Sequence, residues 1–173
     1  MKESDLPIMH IETLADHPDA IPTLARWHHE QWKHLDPGDS VEQRIVRLQA
    51  HLGKVQIPTT FVALSPLQGR VPETDRKEVI GSASLIAHDM DTHPEFSPWL
   101  ASVFVAPPYR GQGTGTALVR RVIQEAEALG VARLYLFTTP DKNGFYARLG
   151  WSLIERTRYR GFQQIVMALQ IDS

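Results

Sequence analysis

Two short stretches carry residues able to do chemistry. The first is Arg110-Gly111-Gln112-Gly113-Thr114-Gly115-Thr116, which follows the run Val103-Phe104-Val105 and the break Ala106-Pro107-Pro108. Glycines at 111, 113 and 115 let the main chain bend and let a bulky group come close. An amphipathic pattern follows over residues 113–129, so the turn stands at a helix N-terminus. Unpaired amides and the positive end of the helix dipole favour an anion there. Such a turn suits a phosphate or pyrophosphate. The second stretch is Asn143-Gly144-Phe145-Tyr146, after the apolar run Leu134-Tyr135-Leu136-Phe137-Thr138-Thr139. Its phenol, an acid of pKa about 10, can give a proton to a departing anion.

The turn is not a nucleoside-triphosphate loop, because Gly115-Thr116 lacks the Lys that would reach the phosphates. Nor does it complete the dinucleotide fingerprint: the third glycine position falls on Thr116. The pattern that fits is Arg110-x-x-Gly113-x-Gly115 directly after a strand. It resembles motif A of the GCN5-related N-acetyltransferase (GNAT) family, which binds acetyl-coenzyme A. Asp141-Lys142-Asn143-Gly144-Phe145-Tyr146-Ala147-Arg148-Leu149-Gly150-Trp151 resembles motif B of the same family. The resemblance spans residues 78–169 and is only topological before them.

The resemblance implies an α/β fold: a mixed, mostly antiparallel sheet of about seven strands, about four flanking helices, and a parallel, splayed pair at the coenzyme site. It implies transfer of an acetyl group from acetyl-coenzyme A to a primary amine, of a small molecule or a peptide N-terminus, within a ternary complex. The alternative is a non-catalytic acyl-coenzyme A sensor. Tyr146 takes the place of the family's proton donor. Val103, Phe104, Val105, Arg110, Gly111, Gln112, Gly113, Thr114, Gly115, Thr116 and Asn143 take the places that meet the coenzyme. A main-chain N–H at 103–105 would polarise the thioester carbonyl, beside a bulge near Ala101-Ser102. Three of these assignments stay open: Arg110 is also an ordinary surface cation, Asn143 is also a cap for the short helix, and Tyr146 is also a core aromatic. No metal is required.

Many relatives carry a carboxylate on the strand before the loop, as general base. This strand reads Trp99-Leu100-Ala101-Ser102-Val103 and has none. Nearby alternatives are His88, Asp89, Asp91, His93 and Glu95, or a relay through water. The resemblance puts the acceptor near Trp27, Trp32, His34, Leu35 and Asp36, with the loop 89–98 and the turn Tyr159-Arg160-Gly161 as further walls. A mild acidic bias of the loops favours a cationic amine.

Composition narrows the class. The 173 residues are 42% hydrophobic and 22% charged, ordinary for one globular domain over 1–173. A net charge of −2 offers no basic field for nucleic acid or an anionic membrane. No stretch approaches a membrane span. The absence of cysteine excludes a thiol nucleophile and a zinc-thiolate cluster, and suits a reducing cytoplasm. Edge strands near the C-terminus leave room for a homodimer.

The positioning elements follow from patterning. Strands are expected over 8–14, 59–64, 79–86, 99–105, 134–139, 152–158 and 163–171. Asp19 is expected to cap a first helix, with Pro22 in its first turn and Leu24, Trp27, Gln31 and Leu35 on one face. Ser40 is expected to cap a second, with Ile45, Leu48 and Leu52 inward. In the helix after the loop, Leu118, Val119, Val122, Ile123, Ala126 and Leu129 form the apolar stripe. Arg120, Arg121, Gln124, Glu125 and Glu127 fall outside it, and Gly130 ends the helix. The polar segment 65–77 is expected to be a long hairpin connection.

Overall fold

The computed structural model describes residues 9–66 and 77–171. The first residue of the expected 8–14 strand and most of the 65–77 connection lie outside the described residues. In chain order the elements are β1 (His10–Thr13), α1 (Ile21–Trp32), α2 (Val41–Gln49), β2 (Thr59–Pro66), β3 (Lys77–Ile86), β4 (Trp99–Val105), α3 (Thr114–Ala128), β5 (Arg133–Thr138), α4 (Asn143–Arg148), β6 (Ser152–Tyr159) and β7 (Phe162–Gln170). They build an open 7-stranded sheet in the order β1-β2-β3-β4-β5-β7-β6, the mixed architecture expected. Every pairing is antiparallel except β4 with β5.

That one parallel pairing organises the site. Its register holds only Trp99 opposite Tyr135, with the Tyr135 N–H donating to the Pro98 carbonyl at 3.1 Å. Beyond it the strands part. An aromatic group closes the joined end: Phe96 stacks on Tyr135 at 4.3 Å, and Trp99 packs against Tyr135 and Phe137. The sheet is thus wedged open on one side and sealed on the other.

Burial fixes α3 against the sheet. Leu118, Val119, Val122 and Ala126 are all 0% exposed and join the main core with Phe61, Leu85, Leu134, Leu136 and Ile165. Each large apolar side chain so buried contributes about 1.5–3 kcal/mol. Gly81 on β3 lets this layer close up: a Cβ there would meet the Phe104 carbonyl oxygen at 2.6 Å and Leu118 at 3.1 Å. Gly130, at φ +77°, ends the helix as expected.

Some local expectations need correction. Asp19 does not cap α1; it lies in a short 3₁₀ turn, and the capping position is Ala20, without a side-chain bond. Gln31 is exposed, and the inward face of α1 is Ile21, Leu24, Ala25 and His28. Glu125 is only 7% exposed and pairs with Arg121 at 3.1 Å, while Arg121 lies over the Phe61 ring. That pair spans one helical turn and folds along the helix instead of facing water. Ser40 does cap α2, its hydroxyl accepting from the Gln43 N–H at 3.1 Å.

Candidate active site

The glycine loop leads from the open end of the split into α3. Pro107–Tyr109 form a tight turn, with the Tyr109 N–H donating to Ala106 and the Arg110 N–H to Pro107. Gly111 (φ +75°) and Gly113 (φ +85°) then take left-handed conformations that L side chains avoid. A Cβ on either would meet nothing within 4 Å, so conformation is what requires glycine there. Gly115 is different: it lies in the first turn of α3, where a Cβ would touch Phe145 at 3.5 Å and Val105 at 3.7 Å. The Ala117 N–H is the first to bond inside the helix, to Gly113. Among the described residues, no hydrogen bond takes the N–H of Gly111, Gln112, Gly113, Thr114, Gly115 or Thr116. Six consecutive donors therefore remain at the mouth of the split, at the positive end of a 15-residue helix.

The strand before the loop is bulged. Ser82 opposes Phe104 and Ser84 opposes Ala101, so two residues of β4, Ser102 and Val103, face one of β3. Ser102 takes φ +53°, a left-handed conformation on a side-chain-bearing residue. After the bulge the Ala106 N–H bonds to Ile80 on β3. Main-chain donors alternate sides along a strand, so the Val105 N–H faces the split and that of Phe104 faces β3. The Phe104 ring packs under Trp27 at 5.3 Å and Trp32 at 6.4 Å. Arg110 folds back along the same strand end. Its Nε donates to the Val105 carbonyl at 2.8 Å, and its guanidinium lies 5.5 Å from the Phe104 ring centre.

Tyr146 lies on α4, which follows β5. It is 7% exposed, with its ring edge-on to Phe145 and Trp151. Burial pushes its phenol well above the usual range. Among the described residues, the indole N–H of Trp151 beside it is a buried donor without a partner. Asn143 does not cap α4: the capping position is Lys142, and among the described residues the Asn143 side chain makes no hydrogen bond.

A cavity of about 380 Å³ lies between α1, α2 and the end of β3, with Ser102 of the bulge in its wall. A buried polar network forms its floor. Ser82 Oγ donates to the Ser102 carbonyl at 3.1 Å, which spends its only proton. The His28 Nε2, 2.8 Å from the same oxygen, must therefore donate to it. Burial, with the charge of Arg44 beside it, holds His28 down to about 3, so the ring is neutral and protonated on Nε2. Alongside, His51 Nδ1 meets Thr60 Oγ1 at 3.0 Å, and Thr60 meets Ser84 at 2.7 Å. His28, His51 and Arg44 were missed by the sequence reading. Their signal was present: His28 continues the inward face of α1, and Ser82 and Ser84 are polar at alternate positions of an otherwise apolar strand.

The structure separates the five base candidates. Asp89 and His88 line the cavity. Asp89 is half-buried as a residue, but its carboxyl is desolvated, which pushes its pKa from 3.8 up to about 7 despite Arg44, Arg47 and Arg160 nearby. Asp91 does not line that cavity; it is bound by the Tyr159 hydroxyl at 3.1 Å and by Arg160 at 3.2 Å, which hold its carboxyl below the usual range. His93 is engaged by Glu155 at 2.7 Å and Thr92 at 2.8 Å, and Glu95 is exposed. The three expected acceptor walls do meet: Arg160 donates to the Leu35 carbonyl at 2.9 Å as well as to Asp91, and His34 packs on Phe162 at 4.8 Å. Outside those walls, Arg44 and Arg47 of α2 line the cavity beside Asp89. Among the described residues, no group of three or more His, Cys, Asp or Glu is placed to hold a metal ion, and no helix is long and apolar enough to cross a membrane.

Comparison with known proteins agrees with this geometry. The family model described as "Acetyltransferase (GNAT) family" matches residues 21–151. An acetyltransferase of the GNAT family from Staphylococcus aureus Mu50 superposes with a TM-score of 0.67 at 15% identity, over 95% of this chain and 100% of that one. An acetyltransferase from Streptococcus agalactiae 2603 does so at 0.65 and 18%, over 94% and 98%. The Salmonella typhimurium protein yncA, solved with its cofactor acetyl-CoA, gives 0.64 at 20%, over 96% and 95%. At these identities the likeness is one of fold. No curated protein sequence matches the chain.

Proposed function

The chain belongs to the acetyltransferase (GNAT) family, and from that premise we propose that it moves an acetyl group from acetyl-coenzyme A to a primary amine by direct transfer in a ternary complex. The observation that carries this reading is the row of six unspent amides, Gly111 to Thr116, at the mouth of a split between parallel strands. Those amides would hold the diphosphate, helped by the terminal nitrogens of Arg110, whose Nε is already engaged. Asn143, without a partner among the described residues, would hold the pantetheine arm. Acetyl-coenzyme A supplies an acyl carbon activated as a thioester.

The residues of this chain then divide three tasks. The amine must attack as a neutral base, although alkylamines ionise near 10.4. Asp89, poised at about 7, accepts that proton. The Val105 N–H faces the split and offers a hydrogen bond to the carbonyl oxygen as its charge grows. As the C–N bond forms and the C–S bond breaks, the Tyr146 hydroxyl gives its proton to the departing sulfur, and the second proton shed by the nitrogen restores the phenol through solvent. Burial keeps the phenol protonated at any working pH, and the same dry surroundings raise the proton affinity of the thiolate.

Thermal unfolding with added ligands tests the binding reading. Acetyl-coenzyme A raises the melting temperature in proportion to occupancy, and ATP and NAD do not. The opposite order refutes it. An amine panel then separates an enzyme from an acyl-coenzyme A sensor, which would be stabilised without turning over.

Asp89 gives a pH prediction. Log kcat/KM falls by about one unit per pH unit below a break near 7 and levels above it. Asp89→Asn removes that break and lowers kcat about 10²- to 10⁴-fold. Stability moves the other way. The folded pKa is raised, so the native carboxyl is favoured neutral, and its contribution is lost as pH rises from 3.8 to about 7. Asp89→Asn therefore melts higher than the parent at pH 8, and the gap closes below pH about 4. An unchanged pH profile in the variant would remove Asp89 from the chemistry.

A further inference from the structure

Acetyl transfer needs room for a neutral amine and a route for its proton. It does not need guanidinium groups, which repel the ammonium form of an acceptor. Yet Arg44 and Arg47 both line the cavity that holds Asp89 and the bulge residue Ser102. Arg44 is built in. Its side chain is 12% exposed, and its Nε donates to both carboxylate oxygens of Asp39, at 3.0 and 2.9 Å. The Asp39 side chain is itself fully buried and is also met by His29 at 3.2 Å. That clamp fixes the plane of the guanidinium. Among the described residues, the terminal nitrogens of Arg44 have no partner. Arg47, one helical turn further, is tethered loosely, with Nη2 at 3.4 Å from Asp36 and 3.9 Å from Asp39.

Asp39 and Asp36 pair with these guanidiniums from outside the lining, and the rest of the lining adds little negative charge. His28 is neutral, and burial with the charge of Arg47 lowers His51 as well. Among the described residues, Asp89 is the one carboxylate lining the cavity, and desolvation raises its pKa to about 7. A preoriented guanidinium with free terminal donors matches the paired oxygens of a planar or tetrahedral oxyanion. The volume, about 380 Å³, lies at the small end of ligand pockets and suits a compact metabolite better than a peptide.

We propose that this cavity selects an acceptor carrying an oxyanion, a carboxylate or a phosphate ester, close to its amine. The anion rests on Arg44 and Arg47, and the amine turns toward Asp89 and the bulge at Ser102. The proposal rests on the acetyl-transfer reading above and names the acceptor class for that reaction. It explains why a site for amines is lined by two cations: the acceptor brings the opposite charge with it.

The test uses the full-length protein and matched acceptors. One series is phenylalanine, phenylalaninamide and phenethylamine; the other is phosphoethanolamine and ethanolamine. Acetyl transfer is followed by thiol release, and binding of the same compounds is measured by calorimetry with coenzyme A present. The anionic member of a series is favoured about 10- to 100-fold in kcat/KM and in affinity. The winning series tells carboxylate from phosphate. Arg47→Gln and Arg44→Lys, which keep Asp39 paired, shrink that preference by raising KM for the acceptor that carries the oxyanion more than for the one that lacks it. Equal use of acceptors with and without the oxyanion, or a preference for those without it, overturns the proposal. Anion-selective binding without any turnover would keep the oxyanion site and refute the transfer reading. Unselective turnover would do the reverse.

Discussion

Gly113→Val loses affinity for acetyl-coenzyme A by about 10- to 100-fold, read by calorimetry, while the rest of the fold persists. The cause is conformational. Gly113 sits at φ +85°, where a β-branched side chain is a genuine outlier. Holding valine there costs on the order of 1–3 kcal/mol, and the turn relaxes to avoid it. No atom lies within 4 Å of the added Cβ, so the protein loses little packing. What moves is the direction of the amides between Gly111 and Thr116, and with it the cradle proposed for the diphosphate. Gly113→Asn separates conformation from space: asparagine tolerates the left-handed region and keeps more of the affinity than valine. A valine variant that binds like the parent would contradict the cradle.

The second large effect is on turnover. Tyr146→Phe lowers kcat by about 10²- to 10⁴-fold, the range for losing a positioned proton donor, and leaves acetyl-coenzyme A affinity close to that of the parent. The ring contacts with Phe145 and Trp151 survive in phenylalanine, so melting temperature changes little. The measurement is a single-turnover rate, in which chemistry limits. Because burial raises the phenol, Tyr146 contributes no break to the pH profile across the neutral range. The acid limb proposed for the profile is that of Asp89. Unchanged single-turnover rates in the phenylalanine variant would leave the thiolate without this donor.

How far residue order reaches is clearest where the reading failed. His28 reads as one more polar residue in a helix, and nothing local says that Ser82, 54 residues away, will meet it at 2.8 Å. Asp91 and Asp89 are both acidic residues in one irregular stretch. Packing alone ties Asp91 to Tyr159 and Arg160 and leaves Asp89 on the cavity wall. Glu125 looked solvated because helical periodicity ignores the neighbour that covers it, here with Arg121 folded over Phe61.

The loop, the helix behind it, the capping Ser40 and the approximate strand spans were legible from residue order. Each depends on interactions within a few residues: glycine's access to positive φ, side-chain periodicity, a hydroxyl three residues from the amide it caps. The opening between β4 and β5 and the bulge at Ser102 were expected only through the family resemblance, and the raised carboxyl of Asp89 and the clamp on Arg44 were decided by tertiary structure alone. Those depend on which distant groups exclude water from one another, and desolvation is a property of the assembled layers, not of any segment.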